Sequence, residues 1–258
     1  MKYILNADDF GFTKDSTKTT IDLLNKGYLS SATIMCNCES TSEAIRFAKS
    51  NPEFSFGVHL TFIDGIEPLY SKKTSLCKNG KFLYTRELYI KSLLGLINLE
   101  DVVNEIKSQI SILTDNGIKV SHIDSHGNVH KLPVFQRALE TALPNFDINK
   151  VRREQNIFKN QVKDSYIKKQ INNYFTKKKS KIFKETDYFY MPAHSYDGEW
   201  TEFLLTTLNS LKQEKVIEIA VHPGTEEYYR TFEYKEILSF NNKIKDTNHQ
   251  MITYNGLL

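Results

Sequence analysis

Two kinds of residue with metal and proton chemistry recur at particular places in this chain. Asp8 and Asp9 are adjacent carboxylates near the start, and His122-Ile123-Asp124-Ser125-His126 alternates imidazole and carboxylate. In extended backbone, residues i, i+2 and i+4 share a face. That run therefore predicts two imidazoles and a carboxylate in line, with His130 just beyond. Imidazole and carboxylate together suit zinc and neighbouring divalent metals. His59, His122, His126, His130 and His222, five of the seven histidines, fall at or just past segments that read as strand ends. One such histidine alone is commonly a structural hydrogen-bonding group, whereas this concentration points to a metal site. In the Asp8-Asp9 pair, one carboxylate can bind metal while its neighbour accepts a proton, and Gly11 allows a tight turn that aims both inward. A plain capping role for the pair stays open. His222-Pro223-Gly224 reads either as a histidine bonded within its own turn or as a general acid near the metal.

The elements that must position these residues alternate between strand and helix. Strands are expected at 3–6, 31–38, 56–60, 120–124, 148–152, 188–191, 216–222 and 251–254. Helices are expected at 14–26 (Thr13 as N-cap, Gly27 at the end), 40–50, 86–94, 100–116, 133–142 (Pro133 in the first turn), 161–178, after Gly198 as far as 211, and 232–240. Residues 61–81 form a long polar stretch, the kind that is functional or mobile in a compact domain. This alternation implies a mostly parallel sheet with helices on its faces. Seven or eight strands suit a closed or nearly closed barrel, with a doubly wound open sheet as the alternative. In either, strand carboxyl ends converge on one face, so four separate strands aim Asp or His at one mouth.

Composition narrows the function classes. The chain has 258 residues, 34 Lys and Arg against 31 Asp and Glu, and a net charge of +3, too small to argue for nucleic acid. Lys177, Lys178, Lys179, Lys181 and Lys184 lie beside Ile167, Ile171, Tyr174, Phe175, Ile182 and Phe183 and read as the solvated face and end of an amphipathic helix. Cys36, Cys38 and Cys77 have no framework spacing and read as small buried residues. Neither a signal peptide nor a run of about 18 apolar residues is evident, so a cytoplasmic protein is the expectation, with no membrane partner.

Asn6-Ala7-Asp8-Asp9-Phe10-Gly11, Gly57-Val58-His59-Leu60-Thr61, His122-Ile123-Asp124-Ser125-His126 and His222-Pro223-Gly224 occur in that order, with Asn79-Gly80-Lys81-Phe82 between. Together they resemble the YdjC-like carbohydrate deacetylases, which include the chitooligosaccharide deacetylases. The resemblance implies a single domain over 1–258, a distorted (β/α) TIM-like barrel, and one divalent metal ion, Mg2+ or Zn2+. Carried over by position, it implies Asp9, His59 and His126 as metal ligands, Asp8 as base, His222 as acid and Arg152 as the residue that orients Asp8. Arg152 as a plain surface arginine is the alternative. Asp124, His130 and Asn128 are assigned to substrate contact. Asn128 stands where family members often carry a further histidine, which puts a substrate contact and substrate preference in question.

The expected reaction is removal of acetyl groups from N-acetylated sugars or oligosaccharides, with a metal-activated water attacking the acetamide carbonyl. The partner is a small carbohydrate, and self-association is left open. A metal-dependent phosphoesterase on a similar barrel, a two-carboxylate glycosidase and a catalytically silent sugar-binding protein are the rivals. Trp200 and the tyrosines are sugar-stacking candidates, although aromatic residues more often belong to the core.

Overall fold

The computed structural model describes residues 1–159, 182–192 and 198–257. In chain order its elements are β1 (Lys2–Phe10), α1 (Lys14–Asn25), β2 (Ser31–Ile34), α2 (Thr41–Ser50), β3 (Ser55–Leu60), β4 (Cys77–Lys78), β5 (Lys81–Phe82), α3 (Thr85–Leu93), α4 (Leu99–Thr114), β6 (Ile123–Ser125), α5 (Pro133–Ala142), β7 (Tyr188–Tyr190), α6 (Thr201–Ser210), β8 (Val216–Val221), α7 (Tyr228–Ile244) and β9 (Gln250–Met251). The main sheet runs β6-β3-β2-β1-β8-β7, and β9 pairs with the start of β1. All of these pairings are parallel. The result is a curled half-barrel with helices around it. From Tyr3 to Phe10, β1 is buried throughout, as a strand covered on both faces must be.

Local signals explain where the helices begin. The Thr13 hydroxyl accepts from the Ser16 amide while the Ser16 hydroxyl accepts from the Thr13 amide, so α1 starts on a reciprocal capping box. Pro133 opens α5, where its missing amide hydrogen costs no helical bond. The long stretch after β3 is pinned to α4 by buried polar side chains. Gln109 bonds both the amide and the carbonyl of Thr61, and the Glu105 carboxylate accepts from the amides of Leu69 and Tyr70. Within this stretch Asn79-Gly80, both at positive φ, turn β4 into β5 as a two-residue hairpin.

Three expectations that bear on the site need correction. The first strand does not stop before the carboxylates: β1 runs through Asp8 and Asp9, because its register slips between Ala7 and Phe10 instead of ending. The strand expected over 120–124 is Ile123–Ser125, so His122 precedes it and His126 opens a 3-10 turn; the three polar residues do not share one regular strand face. The strand expected over 148–152 is reduced to the isolated bridges Ile123 to Val151 and Lys150 to Lys184. These bridges carry the hydrogen-bonded order beyond β6 without forming a full strand. The helix expected over 161–178, together with Ile167, Ile171, Tyr174, Phe175, Lys177, Lys178, Lys179 and Lys181, lies outside the described residues. Among the described residues no helix is long and apolar enough to cross a membrane.

Candidate active site

In a regular strand Asp8 and Asp9 would point to opposite faces. Asp9 instead takes φ 60 at the register slip, and both carboxylates enter the same buried cluster. Left-handed backbone is uncommon for a residue with a side chain, and such departures gather at functional sites. Gly11, at φ 94, then turns the chain into α1. The tight turn expected of this glycine is present, but the inward aim of both carboxylates comes from Asp9 itself.

Asp9 Oδ1 lies 3.3 Å from His59 Nε2 and 3.0 Å from His126 Nδ1. The donor atoms of Asp9, His59 and His126 all fall within 4.8 Å of one another. One carboxylate and two imidazoles at this spacing form a donor set that fits a single divalent ion. The outer nitrogens of both imidazoles are engaged as well. His59 Nδ1 is 2.8 Å from Asp124 Oδ1, and His126 Nε2 is 3.4 Å from Asp64 Oδ2. A carboxylate behind a ligating histidine fixes its tautomer and ring orientation. Burial opposes a charged His59, but Asp124 and Asp9 outweigh it and push the imidazole up to about 10. Burial likewise opposes a charged His126, and Asp9 and Asp64 carry it to about 9. The surrounding carboxylates therefore favour the protonated form of both imidazoles.

Asp8 belongs to a second arrangement. Arg152 Nη1 and Nη2 donate to its two oxygens, each at 2.6 Å, and Asn6 Nδ2 donates to Oδ1 at 2.9 Å. Burial pushes the Asp8 carboxyl up, yet Arg152 holds it well below the usual carboxylate range. Arg152 is itself buried and is held by Asp124 and Glu218, each 2.7 Å from Nη2. Burial raises Glu218 to about 7 against the pull of Arg152, and Tyr254 donates its hydroxyl to it. Across the site His222 Nε2 stands 4.0 Å from Asp8 Oδ2. The Glu233 carboxylate accepts from the His222 amide at 2.7 Å and lies 3.3 Å from Nδ1. Burial opposes the charged form of His222, and Glu233 more than offsets it, so the imidazole lies above its ordinary value.

The structure brings Asp8, Asp9, His59, His126, Arg152 and His222 together. The other sequence-derived candidates lie behind this group or elsewhere in the fold. His122 is buried, stacked 3.5 Å from the Tyr254 ring, with Ser121 Oγ 2.8 Å from Nδ1. Asp124 is fully buried behind His59, which makes it a support for that imidazole. His130 is buried with Nδ1 2.6 Å from Ser125 Oγ. Asn128 is half-buried in the turn after β6, at φ 54. Trp200 packs in the core against Tyr190 and Phe240. Two other Asp, His and Glu groups, Asp8-His59-Asp124 and His122-Asp124-Glu218, are wholly buried, and the Arg152 guanidinium already lies against Asp8, Asp124 and Glu218.

Sequence reasoning missed Arg230, Glu233, Glu218 and Asp64. Glu218 had a readable signal, as a lone carboxylate inside the apolar run Val216–Val221. Arg230 and Glu233 lie three apart on α7 and face inward, but charged residues on a helix ordinarily read as a solvated face.

The sequence model of the family described as YdjC-like protein matches residues 2–253. A carbohydrate deacetylase of Clostridium beijerinckii is 33% identical over 143 residues, 55% of this chain and 56% of that protein. A carbohydrate deacetylase of Oceanobacillus iheyensis is 38% identical over 134 residues, 50% of this chain and 55% of that protein. The chain thus aligns with a little over half the length of these curated relatives. A solved structure from Enterococcus faecalis V583, bearing the name of a cellobiose-phosphate cleavage protein, matches with a TM-score of 0.77 at 24% identity. That match covers 99% of this chain and 98% of the other, a likeness of fold.

Proposed function

The chain belongs to the YdjC-like protein family, and from that premise we propose that it is a metal-dependent hydrolase removing acetyl groups from N-acetylated sugars, chitooligosaccharide-like substrates among them. The observation that carries this reading is the single carboxylate oxygen, Asp9 Oδ1, in reach of His59 Nε2 and His126 Nδ1, with a separate acid and base pair beside it. Curated relatives named carbohydrate deacetylase support the substrate class. A TIM-like barrel forming a single domain over 1–258 is part of the same proposal, as is a cytoplasmic location.

Asp9, His59 and His126 are the residues that would hold the ion, Mg2+ or Zn2+. When bound, a divalent ion supplies Lewis acidity toward the acetamide carbonyl and acidifies water. The chain's own residues supply the proton handling. Asp8, kept ionised by Arg152, accepts the proton of the attacking water at the carboxylate. Because Arg152 makes Asp8 a weak base, its task requires a water already made acidic, which is why the two halves of the site sit side by side. Arg152 and Asn6 fix the plane of the Asp8 carboxylate. His222, charged because Glu233 stands behind it, donates from Nε2 to the departing sugar amine. Asn128, in the turn that carries His126, is the proposed substrate contact.

Two observations favour this reading, one over a two-metal phosphoesterase and one over a silent sugar-binding protein. The two fully buried groups of possible ligands already surround Arg152, and a guanidinium there opposes a second cation. A silent sugar-binding protein would not require an Asp8 and His222 pair with dedicated counter-charges. The test is acetate release from a panel of N-acetylated mono- and oligosaccharides, with and without chelator.

A further inference from the structure

We infer that Arg230 is the positioning residue that restricts Asp9 to one oxygen toward the metal, and that Gly224 is a glycine so that Arg230 can reach it. The inference rests on the proposed metal site. The Asp9 carboxylate is divided: Oδ1 faces the two imidazoles, while Oδ2 receives Arg230 Nη2 at 2.6 Å. Carboxylates ligate cations through one oxygen or two. An oxygen committed to a guanidinium is withheld from the ion, and the planar fork of arginine also fixes the carboxylate plane.

Arg230 is built in rather than resting on a surface. Its guanidinium is buried, and Nε donates to Glu227 Oε2 while Nη1 donates to the Pro223 carbonyl at 3.4 Å. Its central carbon lies 5.1 Å from the Tyr229 ring centroid and 5.9 Å from that of Phe12. The His222-Pro223-Gly224 turn accounts for its path. A Cβ at Gly224 would stand 2.7 Å from Arg230 Cδ, 3.1 Å from Arg230 Cβ and 2.8 Å from Asp15 Oδ2. Any side chain there displaces the arginine stem. The motif thus supplies His222 to one half of the site and clearance for Arg230 to the other.

Positioning and charge act with opposite signs here. A guanidinium near a cation repels it, so removal acting through charge alone tightens metal binding. Removal acting through a misplaced Asp9 weakens it. The experiment is equilibrium binding of Co2+ to chelator-stripped protein, with the visible spectrum of the bound ion recorded. The variants are Arg230→Met, Arg230→Lys, Gly224→Ala, Asp9→Asn and the Asp9→Asn, Arg230→Met pair. Arg230→Met should weaken Co2+ about 10–100-fold, the usual range for a residue supporting a ligand. Its spectrum should change as Asp9 changes its mode of ligation. Arg230→Lys should restore part of the affinity, and Gly224→Ala, which retains the arginine, should shift it in the same direction as Arg230→Met. Added to Asp9→Asn, the arginine change should have little further effect. If Arg230→Met fails to fold, Gly224→Ala and Arg230→Lys decide the matter. Equal or tighter binding with an unchanged spectrum in the folded variants overturns the inference, as does an equal loss in the Asp9→Asn background. A starting protein that binds Co2+ no better than Asp9→Asn overturns the metal site itself and this inference with it.

Discussion

His222 Nε2 and Asp8 Oδ2 face each other at 4.0 Å, beyond a good hydrogen bond, and each has its own counter-charge. Arg152 grips Asp8 from one side, and Glu233 holds His222 from the other. The pair is thus biased toward carboxylate and imidazolium without either being spent on the other, which is the arrangement an acid and a base with separate tasks require.

Asp8 and Asp9 should separate cleanly by substitution. Asp8→Asn should keep its metal while turnover falls roughly 10²–10⁴-fold, the usual share of a general base. Asp9→Asn should lose metal affinity instead. Metal content and turnover measured on the same preparations check the assignment, and the opposite pattern reverses it.

Arg152 should matter for folding as well as for rate. Arg152→Met leaves Asp8, Asp124 and Glu218 buried without their shared counter-charge. Breaking a buried ion pair from one side costs about 3–5 kcal/mol. Urea denaturation should show that loss near neutral pH. It should shrink in acid as the orphaned carboxylates protonate.

The alkaline limb of the pH profile should belong to His222. Its raised pKa means the acid is present below that value and lost as pH rises through it. Glu233→Gln removes the carboxylate that sustains the proton, so the limb should move to lower pH while metal affinity holds. The same group contributes stability that is complete below the unfolded imidazole value of about 6.5 and fades through the folded one. A limb that stays in place in Glu233→Gln assigns the titration to another group.

Metal binding should release protons. With no cation, His59 titrates near 10 and His126 near 9, so at neutral pH an incoming ion displaces about two protons, one from each imidazole. Calorimetry in buffers of different ionisation enthalpy reads that number directly, and apparent affinity should rise with pH up to that range. The sign for the ion-free protein is the reverse. Both pKa values are raised on folding, so the stability these groups contribute is full below about 6.5 and is lost as pH climbs through 9 to 10.

The parts of the site legible in the sequence were those that strand ends expose. Asp8, Asp9, His59, His126 and His222 each stand at or beside the carboxyl end of a parallel strand, where the pattern of apolar run and then polar residue is visible. What escaped depends on contacts between distant segments. Arg230 reaches Asp9 across 221 positions, and its helix buries Arg230, Glu233 and Glu236 before the apolar stripe of Ile237, Phe240 and Ile244 begins, so the first half of the helix carries no apolar signal of its inward face. The expected strand at 148–152 has the right residues but only isolated bridges, so its ladder depends on neighbours that sequence periodicity does not describe. The left-handed Asp9 is likewise a product of the register slip beside β2, not of any local turn signal.

The central claim is that Asp9, His59 and His126 hold a divalent ion on which sugar deacetylation depends. The most direct measurement is acetate released from N-acetylated sugars and their oligomers by protein stripped with a chelator, then resupplied with Mg2+ or Zn2+. The expected result is no release from the stripped protein, recovery on adding the ion, and no recovery in His126→Ala. Full acetate release from protein verified to be metal-free would contradict the account.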